Sequence, residues 1–239
     1  MNKLYIVFVV LAVLFVSCAT GGGTMNPEDF PQPDKLCALT FDDGPDNIKT
    51  PRVIEKLKAH NVVATFFLVG QNVNSSTQPL LKEMSAAGYE FGNHSWDYNG
   101  LNTKSADEIK KMIGDTTAAI EKYTGTSPAF FRPPNLSTST VMFEVIDYPF
   151  VSGVLGVDWA GTNTSARDRA NNVLAGVRDG SIILLHDVQP DPHPTPEALD
   201  ILIPELKKKG YEFVTLSELF KRKGVDPASK KNGMWTFVP

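Results

Sequence analysis

Cys37-Ala38-Leu39-Thr40-Phe41-Asp42-Asp43-Gly44-Pro45 decides how this chain is read. A short apolar run ends on two adjacent carboxylates, and Gly44 and Pro45 then stop the strand and set a turn. The same pattern recurs along the chain. Strand-like runs are expected at Cys37–Phe41, Val62–Val69, Tyr89–Phe91, Ala129–Arg132, Val151–Val157, Ser181–Leu185 and Glu212–Leu216. Stretches with helical spacing fall between them, at Pro51–His60, Gln78–Ala87, Ser105–Tyr123, Thr138–Asp147, Ala166–Arg178 and Pro196–Lys209. Ser105-Ala106-Asp107-Glu108 reads as a capping box, and Gly88, Gly125, Gly180 and Gly210 as helix stops. Strands alternating with helices predict an α/β fold with a mostly parallel sheet.

In such folds the chemistry collects at the carboxyl ends of the strands. The polar residues that need an explanation lie there. Asp42-Asp43 follow the first run and Asn93-His94 the third; Arg132 ends the fourth, Asp158-Trp159 follow the fifth and His186-Asp187 the sixth. Two close carboxylates repel, which favours a cation on one and general-base duty for the other. The plainer reading is an exposed Asp-Asp-Gly-Pro turn. His94 is one of four histidines, and a neutral imidazole suits zinc. His186 follows an apolar run fit for a central strand, and Asp158 is placed to orient it and favour its protonated form, the layout of a general acid. Arg132 is a partner for Asp42. His60 and His193 read as structural or solvent-facing.

The chain has 239 residues, 42% of them apolar and 21% charged, which rules out disorder for most of its length. A net charge of −4 argues against a dedicated nucleic-acid binder. Two cysteines, Cys18 and Cys37, are too few for a disulfide framework or a cysteine-based zinc site; Cys37 reads as a small buried strand residue. At the amino end Lys3 precedes an apolar run, Leu4 to Val16, shorter than the roughly 20 residues that span a bilayer. Leu14-Phe15-Val16-Ser17-Cys18 is similar to a bacterial lipobox. Residues 1–17 are therefore expected to be a lipoprotein-type signal peptide, with lipid on Cys18, and an ordinary cleaved signal is the alternative. Residues 18–33, with Gly21-Gly22-Gly23 and three prolines, read as a flexible tether, residues 34–223 as the folded domain, and 224–239 as a tail.

Read together, Thr40-Phe41-Asp42-Asp43-Gly44-Pro45, Gly92-Asn93-His94-Ser95, Arg132-Pro133-Pro134, Asp158-Trp159 and Leu184-Leu185-His186-Asp187 resemble, in order and spacing, the five motifs of the polysaccharide deacetylase (NodB-homology) family, carbohydrate esterase family 4. The resemblance runs from about Leu36 to Leu219. It implies a distorted (β/α) barrel of about seven parallel strands that removes N-acetyl or O-acetyl groups from a glycan such as peptidoglycan, chitin oligomers or xylan, as a hydrolase of carbon–nitrogen bonds other than peptide bonds. It implies Asp42 as general base, Asp43 and His94 as metal ligands, Arg132 as the tether of the base, His186 as general acid and Asp158 as the residue that tunes it. Trp159 and Leu184 would line the pocket for the acetyl methyl, with Pro133 and Asn135 also against the substrate and the Asn135 backbone N–H on the oxyanion. The implied cofactor is a divalent metal, Zn2+ first, with Co2+ or Ni2+ as alternatives. From the lipobox-like segment and the acidic charge, the expected setting is a monomer anchored to a bacterial cell envelope only through the lipid, with no nucleic-acid partner.

One ligand of that pattern is missing. The second motif normally carries another histidine four residues after the first, and Tyr98 stands there. A neutral phenol, with its pKa of about 10, is a poor ligand. Three outcomes are open: water completes the site; Asp97, Tyr98, Asn99 or His193 reaches in; or the domain binds glycan without hydrolysing it. Asn135 also stands where tyrosine is commonest, although a backbone donor survives that change. A phosphate-transferring hydrolase is disfavoured, because the two aspartates are adjacent and no glycine-rich phosphate loop occurs.

Overall fold

The computed structural model describes residues 35–160 and 165–239. The signal segment, Cys18 and the tether lie outside the described residues. Six parallel strands form one sheet: β1 (Lys35–Asp42), β2 (Thr65–Leu68), β3 (Glu90–Asn93), β4 (Val154–Leu155), β5 (Ser181–His186) and β6 (Tyr211–Phe213), in the order β3-β2-β1-β5-β4, with β6 also on β1. The helices are α1 (Lys49–Ala59), α2 (Gln78–Ala86), α3 (Ala106–Thr124), α4 (Thr140–Val145), α5 (Ala166–Gly176), α6 (Thr195–Lys208) and α7 (Leu216–Lys223). Among the described residues no helix is long and apolar enough to cross a membrane.

The period-2 alternation of the strands divides two apolar layers. Leu39 and Phe41 on β1, with Ile183 and Leu185 on β5, face a layer shared with Leu57, Leu81, Leu199 and Leu202 of the helices. Leu36 and Ala38, with Ile182 of β5, turn the other way, toward Phe130, Phe220 and Trp235. Continuing that parity brings Asp42 and His186 onto the inner face. They are register partners in the β1–β5 ladder.

The expected fourth strand at Ala129–Arg132 is absent. Pro128 leaves four residues before Pro133-Pro134, and prolines remove ladder donors. What survives is a pair of single bridges, Phe131 to Asn93 and Phe131 to Phe150. The chain then runs from Phe150 into β4, which pairs with β5. These bridges carry the sheet round from β3 to β4 and give the distorted barrel its irregular side. The run expected over Val151–Val157 shortens to Val154–Leu155, flanked by Gly153 and Gly156. At Gly153 a side chain would collide with Leu184.

The strand expected at Glu212–Leu216 ends at Phe213, because Thr215 caps α7: its Oγ1 accepts from the Glu218 N–H at 3.3 Å. The capping box at Ser105–Glu108 is formed, and Gly125 ends α3 in a left-handed conformation, φ 78. Gly180 does not close a helix; α5 ends at Gly176, and Gly180 forms the turn into β5. Cys37 is buried, and burial pushes its thiol up. The last residues pack on the sheet: Trp235 bridges Val151, Phe237 bridges Ser181, and Val238 is buried.

Candidate active site

Asp42 is the last residue of β1. Its Oδ1 accepts from Arg132 Nη1 at 2.6 Å, and both side chains are buried. Arg132 enters from the bridge segment, donates Nη2 to the Ser152 carbonyl at 2.8 Å and stacks over the Phe67 ring at 4.2 Å. A buried arginine with that many partners is a fixed post, so the carboxylate it holds is fixed too. Asp43 follows with φ 80, which turns its side chain away from the alternation of the strand. Gly44 permits this tight turn, because a Cβ there would run into the Asp187 carboxylate. Asp187 also accepts from Thr50 Oγ1, and burial lifts it to about 7.

His94 follows β3. Its Nδ1–H donates to the Arg132 carbonyl at 2.8 Å, so Nε2 is the nitrogen presented to the site. That nitrogen is 3.5 Å from Asp43 Oδ1 and 3.9 Å from Asp42 Oδ2. Burial works against charge on this ring, yet Asp42 and Asp43 outweigh it and hold His94 above its ordinary value. Two carboxylates and an imidazole lone pair at this spacing call for a positive charge among them. That donor chemistry, nitrogen plus carboxylate oxygen, fits a divalent cation. Among the described residues no third His, Cys, Asp or Glu joins Asp43 and His94 in a metal-holding cluster.

His186 ends β5. Its Nδ1–H donates to Asp158 Oδ1 at 2.8 Å, and its backbone N–H donates to Asp158 Oδ2 at 2.7 Å. Thr195 Oγ1 adds a third donor to Asp158 at 2.8 Å. Burial disfavours the charged ring, but Asp158, then Asp42 and Asp43, overcome it and lift His186 to about 9. Asp158 moves the other way: burial raises it, and His186 more than offsets that and lowers it. A neighbouring acid–base pair thus separates into a proton holder and a fixed counter-charge.

These groups open into one cavity of about 450 Å³, whose lining includes Asp42, Asp43, His94, Pro133, Asn135, Trp159, Leu184 and His186. All the sequence-predicted site residues line it except Arg132 and Asp158, which stand behind Asp42 and His186. Trp159 is 45% exposed and sets its ring edge-on to His186 at 5.5 Å. Asn135 sits in a left-handed turn, φ 57.

Of the four substitute ligands considered, only Tyr98 reaches the cavity. Its hydroxyl accepts from Asn72 Nδ2 at 3.0 Å and donates to the Asp43 backbone carbonyl at 3.3 Å. Burial raises its pKa, so it stays a phenol and braces the Asp43 turn. Asp97 caps its own turn through the Asn99 N–H. His193, expected to be structural or solvent-facing, is buried and donates Nε2–H to the Asp187 carbonyl at 3.1 Å. Sequence reasoning missed Gln189, which donates Nε2–H to Asp43 Oδ2 at 3.0 Å. Its only signal in the sequence is a position three residues past His186.

A parallel α/β barrel with a carboxylate base, an imidazole acid and a cation-fitting pair at one rim has the layout of a metal-assisted hydrolase. The family model for polysaccharide deacetylases matches residues 30–148. A solved structure, a family 4 acetyl xylan esterase from Clostridium thermocellum in complex with a cobalt ion, superposes with a TM-score of 0.83 at 58% identity, covering 86% of this chain and 100% of that one. A bifunctional xylanase/deacetylase of Pseudobutyrivibrio xylanivorans is 44% identical over 92% of this chain and 35% of its own length. A peptidoglycan-N-acetylglucosamine deacetylase of Bacillus cereus is 35% identical over 82% of this chain and 92% of its own. The chain thus spans about a third of the xylanase/deacetylase and nearly all of the other two. It belongs to the polysaccharide deacetylase family.

Proposed function

We propose that this chain is a divalent-metal-dependent hydrolase that removes acetyl groups from a glycan, with acetylated xylan as the preferred substrate class. The observation that carries the reaction is the placement of Asp42 and His186 on paired strand ends in one cavity, with Asp43 and His94 beside them. The substrate class is supported by the gradient of likeness: 58% to an acetyl xylan esterase against 37% to a peptidoglycan deacetylase among solved structures, and 44% to the xylanase/deacetylase against 35% and 39% to Bacillus cereus peptidoglycan deacetylases in sequence.

Asp43 and His94 would hold the cation. When bound there, a divalent ion supplies Lewis acidity, polarising the acetyl carbonyl and making a water easier to deprotonate. Asp42, clamped by Arg132, takes the proton of the attacking water. The Asn135 backbone N–H is assigned to the carbonyl oxygen as negative charge develops. His186, protonated at Nε2 and steered by Asp158, gives its proton to the leaving oxygen or nitrogen. Trp159 and Leu184 form the apolar side that receives the methyl, with Pro133 in the wall. Zinc is proposed as the resident metal, because an imidazole and a carboxylate suit it.

Acetate release from acetylated xylan, peptidoglycan and chitin oligomers, with Zn2+, Co2+ or Ni2+ added, tests this reading. Release is expected to be fastest from xylan. Preference for peptidoglycan would move the substrate to N-acetyl groups of the wall. Retention of glycan without any acetate release would indicate a binding domain.

We further propose export and attachment to a bacterial cell envelope through lipid on Cys18, supported by the lipobox-like Leu14–Cys18. Labelled palmitate is expected in the wild-type chain expressed in a bacterial host and absent from Cys18→Ser. Equal labelling of the two would refute the anchor.

A further inference from the structure

The two oxygens of Asp43 keep different company. Oδ1 lies 3.5 Å from His94 Nε2. Oδ2 accepts from Gln189 Nε2 at 3.0 Å and lies 4.0 Å from His186 Nε2. Asp43 belongs to a turn at φ 80 rather than to the ladder of β1, so strand pairing does not hold its carboxylate. Something else has to choose which oxygen faces His94.

Gln189 is itself held. Lys49 Nζ donates to its backbone carbonyl at 2.7 Å. Two residues earlier, Asp187 packs against Gly44 and accepts from Thr50 Oγ1. Thr50 Oγ1 in turn accepts from the Asp46 N–H at 2.9 Å. The turn after β1, the start of α1 and the segment after β5 are thereby tied into one unit. The Gln189 amide is delivered to Asp43 from a fixed base.

We propose that Gln189 is a positioning residue for the cation pair: its amide occupies Asp43 Oδ2 and leaves Oδ1 turned to His94 Nε2. The inference rests on the reading of Asp43 and His94 as the cation ligands. With no group of three His, Cys, Asp or Glu placed to hold a metal among the described residues, the orientation of Asp43 and of His94 makes up a large share of the affinity.

The test is calorimetric titration of Co2+ into the chelator-stripped full chain, for the wild type, Gln189→Met and Gln189→Ala, with thermal melting of each metal-free protein alongside. Loss of a donor behind a metal ligand costs typically 10–100-fold in affinity, so Kd for Co2+ is expected to rise about tenfold or more in both variants. The metal-free melting temperatures are expected to stay together, because Gln189 is only half-buried at the cavity rim. A Kd within twofold of wild type in either variant overturns the proposal, whether or not that variant melts lower. Failure of the wild type to bind Co2+ would instead sink the cation reading of Asp43 and His94, and this inference with it.

Discussion

Asp42 and His186 divide the proton traffic because their surroundings differ in sign. Asp42 has a guanidinium at 2.6 Å, whereas His186 has the Asp158 carboxylate at 2.8 Å. Asp42→Asn keeps an oxygen for Arg132 and removes the base. Turnover should fall by about 10²–10⁴-fold, the usual worth of a general base, while unfolding stays cooperative by circular dichroism; normal turnover would refute the role. His186 keeps its proton through neutral pH and loses it only as pH rises through about 9. The kcat/KM profile should therefore hold until that region and fall above it. The same upward shift stabilises the fold fully below the ordinary value of 6.5 and is lost as pH passes about 9. In Asp158→Asn the main opposing charge is gone, so the alkaline limb should move down toward 6.5; an unmoved limb would contradict the assignment. Asp42 and His186 were legible in the sequence because each ends a strand, where parity and register determine where a side chain goes. Gln189 was not, since its reach depends on the path of a loop tied down by Lys49 and by Thr50 through Asp187, and both Lys49 and Thr50 are distant in sequence.

At the scale of elements, local signals that carry their own chemistry survived, and most apolar runs became strands; those hemmed in by prolines, glycines or a helix cap shortened or vanished. The Ser105–Glu108 box predicted the start of α3 because its hydrogen bonds are local: Ser105 Oγ accepts from the Glu108 N–H, and Glu108 accepts from the Ser105 N–H at 2.9 Å. Ser105→Ala should lower stability by about 1 kcal/mol, read from urea unfolding, and no change would show that tertiary packing alone holds that end. The helix α7 begins where the apolar run Glu212–Leu216 predicts strand, because Thr215-Leu216-Ser217-Glu218 has the same form and Thr215 caps it. Ala129–Arg132 has strand composition but is confined between prolines, and one bridging residue, Phe131, replaces the expected strand.

At the scale of the whole molecule, the barrel brings five separated segments to one rim and fills its interior with Phe130, Phe220 and Trp235. Phe220 stacks on Phe130 at 5.4 Å and meets the edge of Trp235 at 5.3 Å. The carboxyl-terminal residues complete that interior, a role their composition alone did not reveal. The cation pair lies outside this apolar interior, on the turn after β1 and the end of β3, so the metal serves chemistry more than folding. Acetate release from acetylated xylan, followed through chelation and restoration of the metal with melting measured at each stage, tests the account most directly. It predicts that chelation stops release, that Co2+ or Zn2+ restores it, and that the fold persists throughout. Release that continues undiminished in the chelated protein would contradict it.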